Sequence, residues 1–510
     1  MADQRDDSWS AARATSTGWA EVNGAGAGRI DAGGRYIAPV IEFADRVVRE
    51  FRDTFGRDPT PLFVDALDPE TSEPFRYEHT FRDQPGGVLC NVGYQQYWLR
   101  TLAGLSAATR DPLYAKEAEE SLRFFLRLAH PQSGLLPWGG HLYFNLSTRE
   151  IVGYQHELKA VFPFYELMWR VDPEATRCFI ESFYHAHVED WSSMVFNRHG
   201  HLDGGLLPGA LSFLNTGSDL ILAGVFLYTQ TAEPKYLDWA WRLAKRYDDV
   251  RNPKTGLGPY MFTVRSDNQA NRLFGPGYSE LNIVPYAYRF TYFDFILLYV
   301  SKILGDAPQA RDFCQLSVRD LKAYFQYGYD DRAKGFYTML CARTGRRLSP
   351  RDFKDPEARY FAGPHHYKKR NLATLARLLR SYVFAHQLSQ DPELLEIARL
   401  IVRLMDLGSD APRAEVAANG ESAASTIQGL IDLFATTGDE QDLDLSRRVA
   451  DEAVAKLSRN DLLMRAESDT VCWINQRLPL ALIRLQCVEE GVSAPIPPDL
   501  GGTIRPTSVK

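Results

Sequence analysis

The sequence predicts an all-α fold, an (α/α)7 toroid of helical hairpins whose long loops emerge on one face and build the functional cleft. Three observations predict it: a recurring acidic-proline junction, apolar helical periodicity on both sides of each junction, and a regular alternation of short and long connections.

The junctions line up as Arg110-Asp111-Pro112-Leu113, Val171-Asp172-Pro173-Glu174, Ala232-Glu233-Pro234-Lys235, Asp306-Ala307-Pro308-Gln309, Gln390-Asp391-Pro392-Glu393 and, without proline, Gly438-Asp439-Glu440-Gln441. An acidic side chain there can cap orphan amides, and proline in the first turn sacrifices no helical hydrogen bond. Periodicity places helices at about 91–109 and 112–129, 153–171 and 173–189, 216–231 and 234–250, 280–304 and 308–327, 368–388 and 391–407, and 420–437 and 440–457. The helix at about 469–488 lacks a following partner and that at about 35–54 a preceding one. Pairing them gives a seventh hairpin, closes the ring and buries ends that an open array would expose.

Connections within hairpins are tight, whereas those at about 130–152, 190–215, 251–279 and 328–367 exceed the roughly 12–15 residues beyond which loops are usually functional. Each follows the second helix of a hairpin, so all are expected on one face. The expected organisation is a flexible arm over 1–34, one catalytic toroid over 35–490 and a C-terminal tail over 491–510.

Composition narrows the class. Aromatics make up 12% of the 510 residues, enough for a large core and an aromatic-lined cleft. A net charge of -7 without a sustained basic run argues against nucleic acid or an anionic membrane as partner. Six scattered cysteines lack any Cys-x-x-Cys pair and read as buried thiols. The polar first 34 residues carry no export signal, and no run reaches the roughly 20 apolar residues of a membrane span, so a cytoplasmic protein is expected.

Chemistry concentrates in the first two long loops. Pro137-Trp138-Gly139-Gly140-His141 places a flexible pair before a histidine, and Tyr154-Gln155-His156-Glu157-Leu158-Lys159 clusters imidazole, carboxylate and ammonium at an expected helix start, a pattern that ordinary polar decoration also produces. With His185, His187, His199 and His201, this stretch holds six of eleven histidines. Neutral imidazoles with one carboxylate suit a borderline transition ion better than calcium. His185 and His187, two apart, would point to different faces of a helix. Arg265 and Arg272 lie in the third long loop and could fork onto a carboxylate or simply face solvent. His365-His366-Tyr367-Lys368-Lys369-Arg370 reads better as an exposed helix start than as a basic lip.

Gly139-Gly140-His141, His156-Glu157-Leu158-Lys159 with Pro163-Phe164-Tyr165-Glu166, and Arg198-His199-Gly200 resemble stretches of the family 2 polysaccharide lyases, pectate lyases on an (α/α)7 barrel. Residues 265–280 are similar to a family loop with basic residues before Phe-Gly-Pro. The resemblance covers about 135–280 and implies a metal, manganese above all, held by His141, Glu157 and His199, with Arg198 as Brønsted base. It implies that Lys159, Arg265, Arg272 and Trp138 contact a galacturonan substrate, which loses its C5 proton and expels the C4 oxygen. The spacing from His141 to Glu157 is shorter than the family pattern, and His156 competes with Glu157 as ligand. Two alternatives remain open: a metal-independent hydrolase of unsaturated uronides or sugar epimerase on a similar toroid, and a carbohydrate-binding scaffold.

Overall fold

Four of the six expected junctions are helix caps in the literal sense. The carboxylates of Asp111, Asp172, Asp391 and Asp439 accept the amides of Leu113, Ala175, Glu393 and Gln441, each opening the second helix of a hairpin. Glu233 and Ala307 make no side-chain cap, and there the N-terminal proline alone marks the start. A computed structural model of the chain describes residues 28–79, 85–263, 283–285, 289–337, 339–348 and 371–502.

The helices in chain order are α1 (Ala38–Glu50), α2 (Gln96–Thr109), α3 (Pro112–Leu126), α4 (Tyr165–Val171), α5 (Pro173–His187), α6 (Leu214–Thr231), α7 (Pro234–Asp249), α8 (Phe295–Leu304), α9 (Pro308–Gly328), α10 (Leu372–Ser389), α11 (Pro392–Met405), α12 (Asp410–Ala417), α13 (Gly420–Thr437), α14 (Glu440–Leu457) and α15 (Leu478–Glu489). Six antiparallel pairs follow the junctions, and α15 packs against α1, α2 and α13, so the two ends of the chain make the seventh hairpin and close the ring. The α2, α6, α13 and α15 helices are buried nearly all round and form the inner wall. Outer helices bury one stripe: Tyr114, Ala118, Ser121, Leu122 and Phe125 on α3.

Three expected helices are shorter than the sequence suggested, and the one at about 469–488 starts only at Leu478, after the strand Cys472–Trp473. The segment from Tyr154 to Lys159 is not a helix start: residues 155–157 are a strand, and α4 begins only at Tyr165. Likewise α8 begins at Phe295 after a π-helical turn over Arg289–Asp294, and Ile283–Pro285 is a strand. In all three places pairing with a distant strand overrides local propensity. The cysteines are free thiols; five are buried, as expected, and Cys178 is exposed. No helix among the described residues is long and apolar enough to cross a membrane. Residues 1–27 of the expected arm over 1–34, the Arg265 and Arg272 loop and the 365–370 stretch lie outside the described residues.

The loops do gather on one rim, stitched to each other by short antiparallel pairs. Ala66–Leu67 pairs with Cys472–Trp473, Leu89–Cys90 with Phe144–Asn145, Gln155–Glu157 with His199–His201, and Ile283–Pro285 with Met339–Cys341. Single bridges add Phe213 to Met261 and Asn419 to Ala466. The belt fixes loops that would otherwise be independent.

The chain turns back after α15 and buries residues 499–502 in the lumen. Asp499 is buried there, and its carboxylate accepts Arg477 Nε (2.9 Å) and Nη2 (2.7 Å), the Tyr97 hydroxyl (2.7 Å) and the Gly501 amide (2.9 Å). Arg380 of α10 donates to the Asp499 carbonyl (2.8 Å), and Arg477 reaches Ser425 of α13 (2.8 Å). Burial pushes the Asp499 carboxyl up, but Arg380 and Arg477 outweigh it and hold it well below the usual carboxylate range. A depressed folded-state value stabilises the fold above the unfolded value of about 3.9, and this contribution is lost as pH falls. Asp499→Asn is therefore expected to lower the unfolding free energy by about 3–5 kcal/mol near neutrality, read from urea denaturation. The gap to wild type should narrow as pH falls below about 4; a gap that stays constant would show that the charge is not what matters.

Candidate metal and active site

The candidate site sits where the first two long loops meet. The strands involved are β1 (Leu142–Asn145), β2 (Ile151–Gly153), β3 (Gln155–Glu157) and β4 (His199–His201). In the antiparallel pair of β3 with β4, Glu157 lies opposite His199, Gly200 opposite His156, and His201 opposite Gln155. Side chains alternate between the faces of a strand, so Glu157 and His199 share one face while His156 points to the other. Position on the pleat thus separates Glu157 from His156, which sequence spacing left in competition.

His141, just before β1, completes the group. Its Nε2 is 3.6 Å from Glu157 Oε2, and His199 Nε2 is 3.5 Å from Glu157 Oε1. One ligand atom from each of the three lies within 4.8 Å of the others. Two cations close on the same carboxylate: Lys159 Nζ at 3.6 Å from Oε2 and Arg198 Nη2 at 3.4 Å from Oε1. The Gly139-Gly140 pair is what lets the backbone come so near. Gly139 has φ +97°, and a Cβ there would stand 2.5 Å from the Glu157 carbonyl oxygen. Gly140 donates its amide to Glu157 Oε2 at 2.9 Å, and a Cβ on it would stand 2.7 Å from that oxygen.

The electrostatics follow from burial and these neighbours. Burial alone would push Glu157 up, but Lys159, the His199 contact, Arg198 and His141 together hold it well below the usual range, so it is an anion. Burial brings His141 down to about 4 and lowers His199, leaving neutral imidazoles near neutral pH. Arg198 Nε donates to His199 Nε2 at 3.1 Å, so that nitrogen carries a lone pair. Burial also lowers Lys159, against the opposing pull of Glu157. Two neutral imidazoles and one carboxylate are a donor set that fits a divalent transition ion.

Beneath this face a second pair of histidines locks both strands. His187, in the last turn of α5, places Nδ1 2.8 Å from the Asn197 carbonyl and Nε2 2.8 Å from His156 Nδ1. A carbonyl only accepts, so His187 carries its proton on Nδ1 and accepts at Nε2 from His156 Nδ1–H. Burial brings His187 down to about 4 and His156 well below its usual value, which keeps both neutral. His185, two residues earlier, is exposed beside Trp191, so the two part company on the helix as expected.

Trp138 does not offer a stacking surface. It is 2% exposed and packs edge-on against Phe179, beneath the site rather than in it. Sequence reasoning also passed over Asp219 of α6, buried, whose carboxylate accepts the Ala160 amide at 2.5 Å. Its partner loop holds Ala160 at φ +50° and Phe162 at φ +49°, strained values for residues with side chains. The signal was that Asp219 is the one charged residue between Asp203 and Glu233.

Comparison with known proteins bears on the family. The sequence profile of a family described as periplasmic pectate lyase matches residues 60–506. A pectate disaccharide-lyase of Dickeya dadantii (strain 3937) is 32% identical over 330 residues, 55% of this chain and 60% of that protein's length. Among solved structures, a sugar epimerase from a ruminal bacterium is similar over 73% of this chain and 86% of its own at 13% identity, TM-score 0.47. An unsaturated glucuronyl hydrolase specific for heparin is similar over 90% and 97% at 10% identity, TM-score 0.47. The expectation of a cytoplasmic protein is corrected by the profile match, because the family is described as periplasmic. Since that profile covers most of the sequence, the chain belongs to the periplasmic pectate lyase family.

Proposed function

We propose that this chain is a pectate lyase that cleaves galacturonan or its oligomers by β-elimination, yielding a uronide unsaturated between C4 and C5. The observation that supports this most is the convergence of Glu157, His141 and His199 beside Arg198 in a chain of that family. The family match favours this reading over a metal-independent sugar enzyme or a passive scaffold.

The C5 hydrogen is weakly acidic, and its removal builds negative charge on the adjoining C6 carboxylate. His141, Glu157 and His199 would hold a divalent ion, manganese in our reading, which when bound supplies positive charge to that carboxylate. Arg198, partly exposed beside the trio, is assigned the C5 proton. The C5–H electron pair becomes the C4–C5 double bond, the C4–oxygen bond breaks, and the departing oxygen takes a proton from solvent. Phe213, over whose ring the Arg198 guanidinium carbon sits at 5.5 Å, restricts where that side chain can go. Lys159 is assigned a substrate carboxylate, and its contact with Glu157 keeps it oriented before substrate arrives. Arg265 and Arg272 are assigned the same carboxylate-binding task from the family resemblance.

Ultraviolet absorbance of the conjugated product should rise when the protein meets polygalacturonate, vanish with chelator and return with added manganese. No rise with any pectic substrate would sink the lyase reading. Arg198→Ala is expected to lower kcat by about a hundred- to ten-thousandfold, the usual worth of a proton-transferring group, while calorimetry still detects manganese. Glu157→Gln should instead weaken manganese binding by more than the roughly 10–100-fold that loss of an outer partner costs. Equal metal affinity in the two variants would refute this division of roles.

A further inference from the structure

The same ladder that pairs Glu157 with His199 carries a second rung two residues outward, Gln155 opposite His201, on the same face. We propose that Gln155 and His201 form the subsite for the sugar ring adjoining the one that loses its proton, reading its hydroxyl groups; this rests on the lyase reading above.

Four observations carry it. Two residues along an antiparallel strand span about 6.8 Å, the scale of one sugar ring, so the rung stands one ring away from the ligand trio. Gln155 is 8% exposed, yet its amide makes no hydrogen bond with any other side chain or backbone group among the described residues. The side chain is packed in place while its amide still reaches solvent, which leaves its donors and its acceptor open to a ligand hydroxyl. The His201 ring is half-buried and likewise makes no protein hydrogen bond among the described residues, while its backbone is fixed: its amide donates to the Gly205 carbonyl at 2.9 Å and its carbonyl accepts from Gly204 at 3.0 Å. The turn packs close against that ring, since a Cβ on Gly205 would lie 3.3 Å from His201 Cδ2.

The chemistry of the two rungs differs in a useful way. Around Glu157 the cations Lys159 and Arg198 meet carboxylates. An amide and an imidazole bring both donors and acceptors, which matches sugar hydroxyls. The outer rung would thus set which neighbouring sugar is accepted without taking part in proton transfer.

Initial rates with trigalacturonate, followed by product absorbance, test this on the full chain loaded with manganese. Gln155→Ala and His201→Ala should each raise KM by roughly three- to tenfold, as one lost neutral hydrogen bond implies, with kcat held within about twofold. Manganese affinity by calorimetry and the thermal midpoint should match wild type. Unchanged KM in both variants, or a loss of manganese affinity in either, would overturn the inference while wild-type turnover leaves the lyase reading standing. A wild-type protein that neither binds nor cleaves galacturonan would overturn the reading and the inference together.

Discussion

A single buried carboxylate holds the ring shut. Asp499 gathers Tyr97 from α2, Arg380 from α10 and Arg477, which itself reaches Ser425 on α13, so four parts of the inner wall are tied at one point in the lumen. Buried charges are tolerated only when they are paired and their remaining hydrogen bonds are satisfied, and this one is. Other polar contacts join the inner helices in pairs, such as Arg484 of α15 with Asp432 of α13 and Gln387 of α10 with Thr436 of α13, whereas Asp499 ties several at one point. The same segment also reaches the site: a Cβ on Gly502 would stand 2.1 Å from the Ala160 carbonyl, in the loop that follows Lys159.

From that closed ring the functional face is built in layers. Asp219 on the inner wall holds the strained turn at Ala160 and Phe162. The His156 and His187 pair joins the end of α5 to both ligand-bearing segments from below. Strand register then presents Glu157 with His199 above, and the glycines beside His141 let the third imidazole approach. Each layer restricts the next, so the charged face can be crowded with Lys159 and Arg198 without collapsing.

What could be read from the sequence was what is decided locally. A carboxylate before a proline caps a helix whatever surrounds it, which is why Asp111, Asp172 and Asp391 marked the hairpins and, from their alternation, the face that carries the loops. Tyr154 to Lys159 was misread as a helix because its strand state comes from residues 199–201, a partner with no local trace. The trio His141, Glu157 and His199 was legible through family resemblance, whereas residue spacing alone left Glu157 and His156 in competition; that Glu157 faces the cleft is a fact of pleat parity. Trp138 was misjudged for a related reason, since nothing in a loop sequence says which aromatic turns inward onto Phe179. The lumen segment 499–502 has no periodicity to betray a buried course, and Asp499 looks there like any polar loop residue.

The lumen tie has a kinetic side. Tyr97 and Asp499 touch across a separation of 402 residues, among the longest closures the chain makes. Contacts that distant form late, because loop closure must be completed before they contribute anything. During synthesis the hairpins can assemble one after another along the chain, each protected by its neighbour, while the interior stays unfilled until residue 499 has emerged. The site inherits that order: the turn at Ala160 that supports Lys159 rests on a segment made some 340 residues later, so assembly of the reactive face is a closing event of folding rather than an early one.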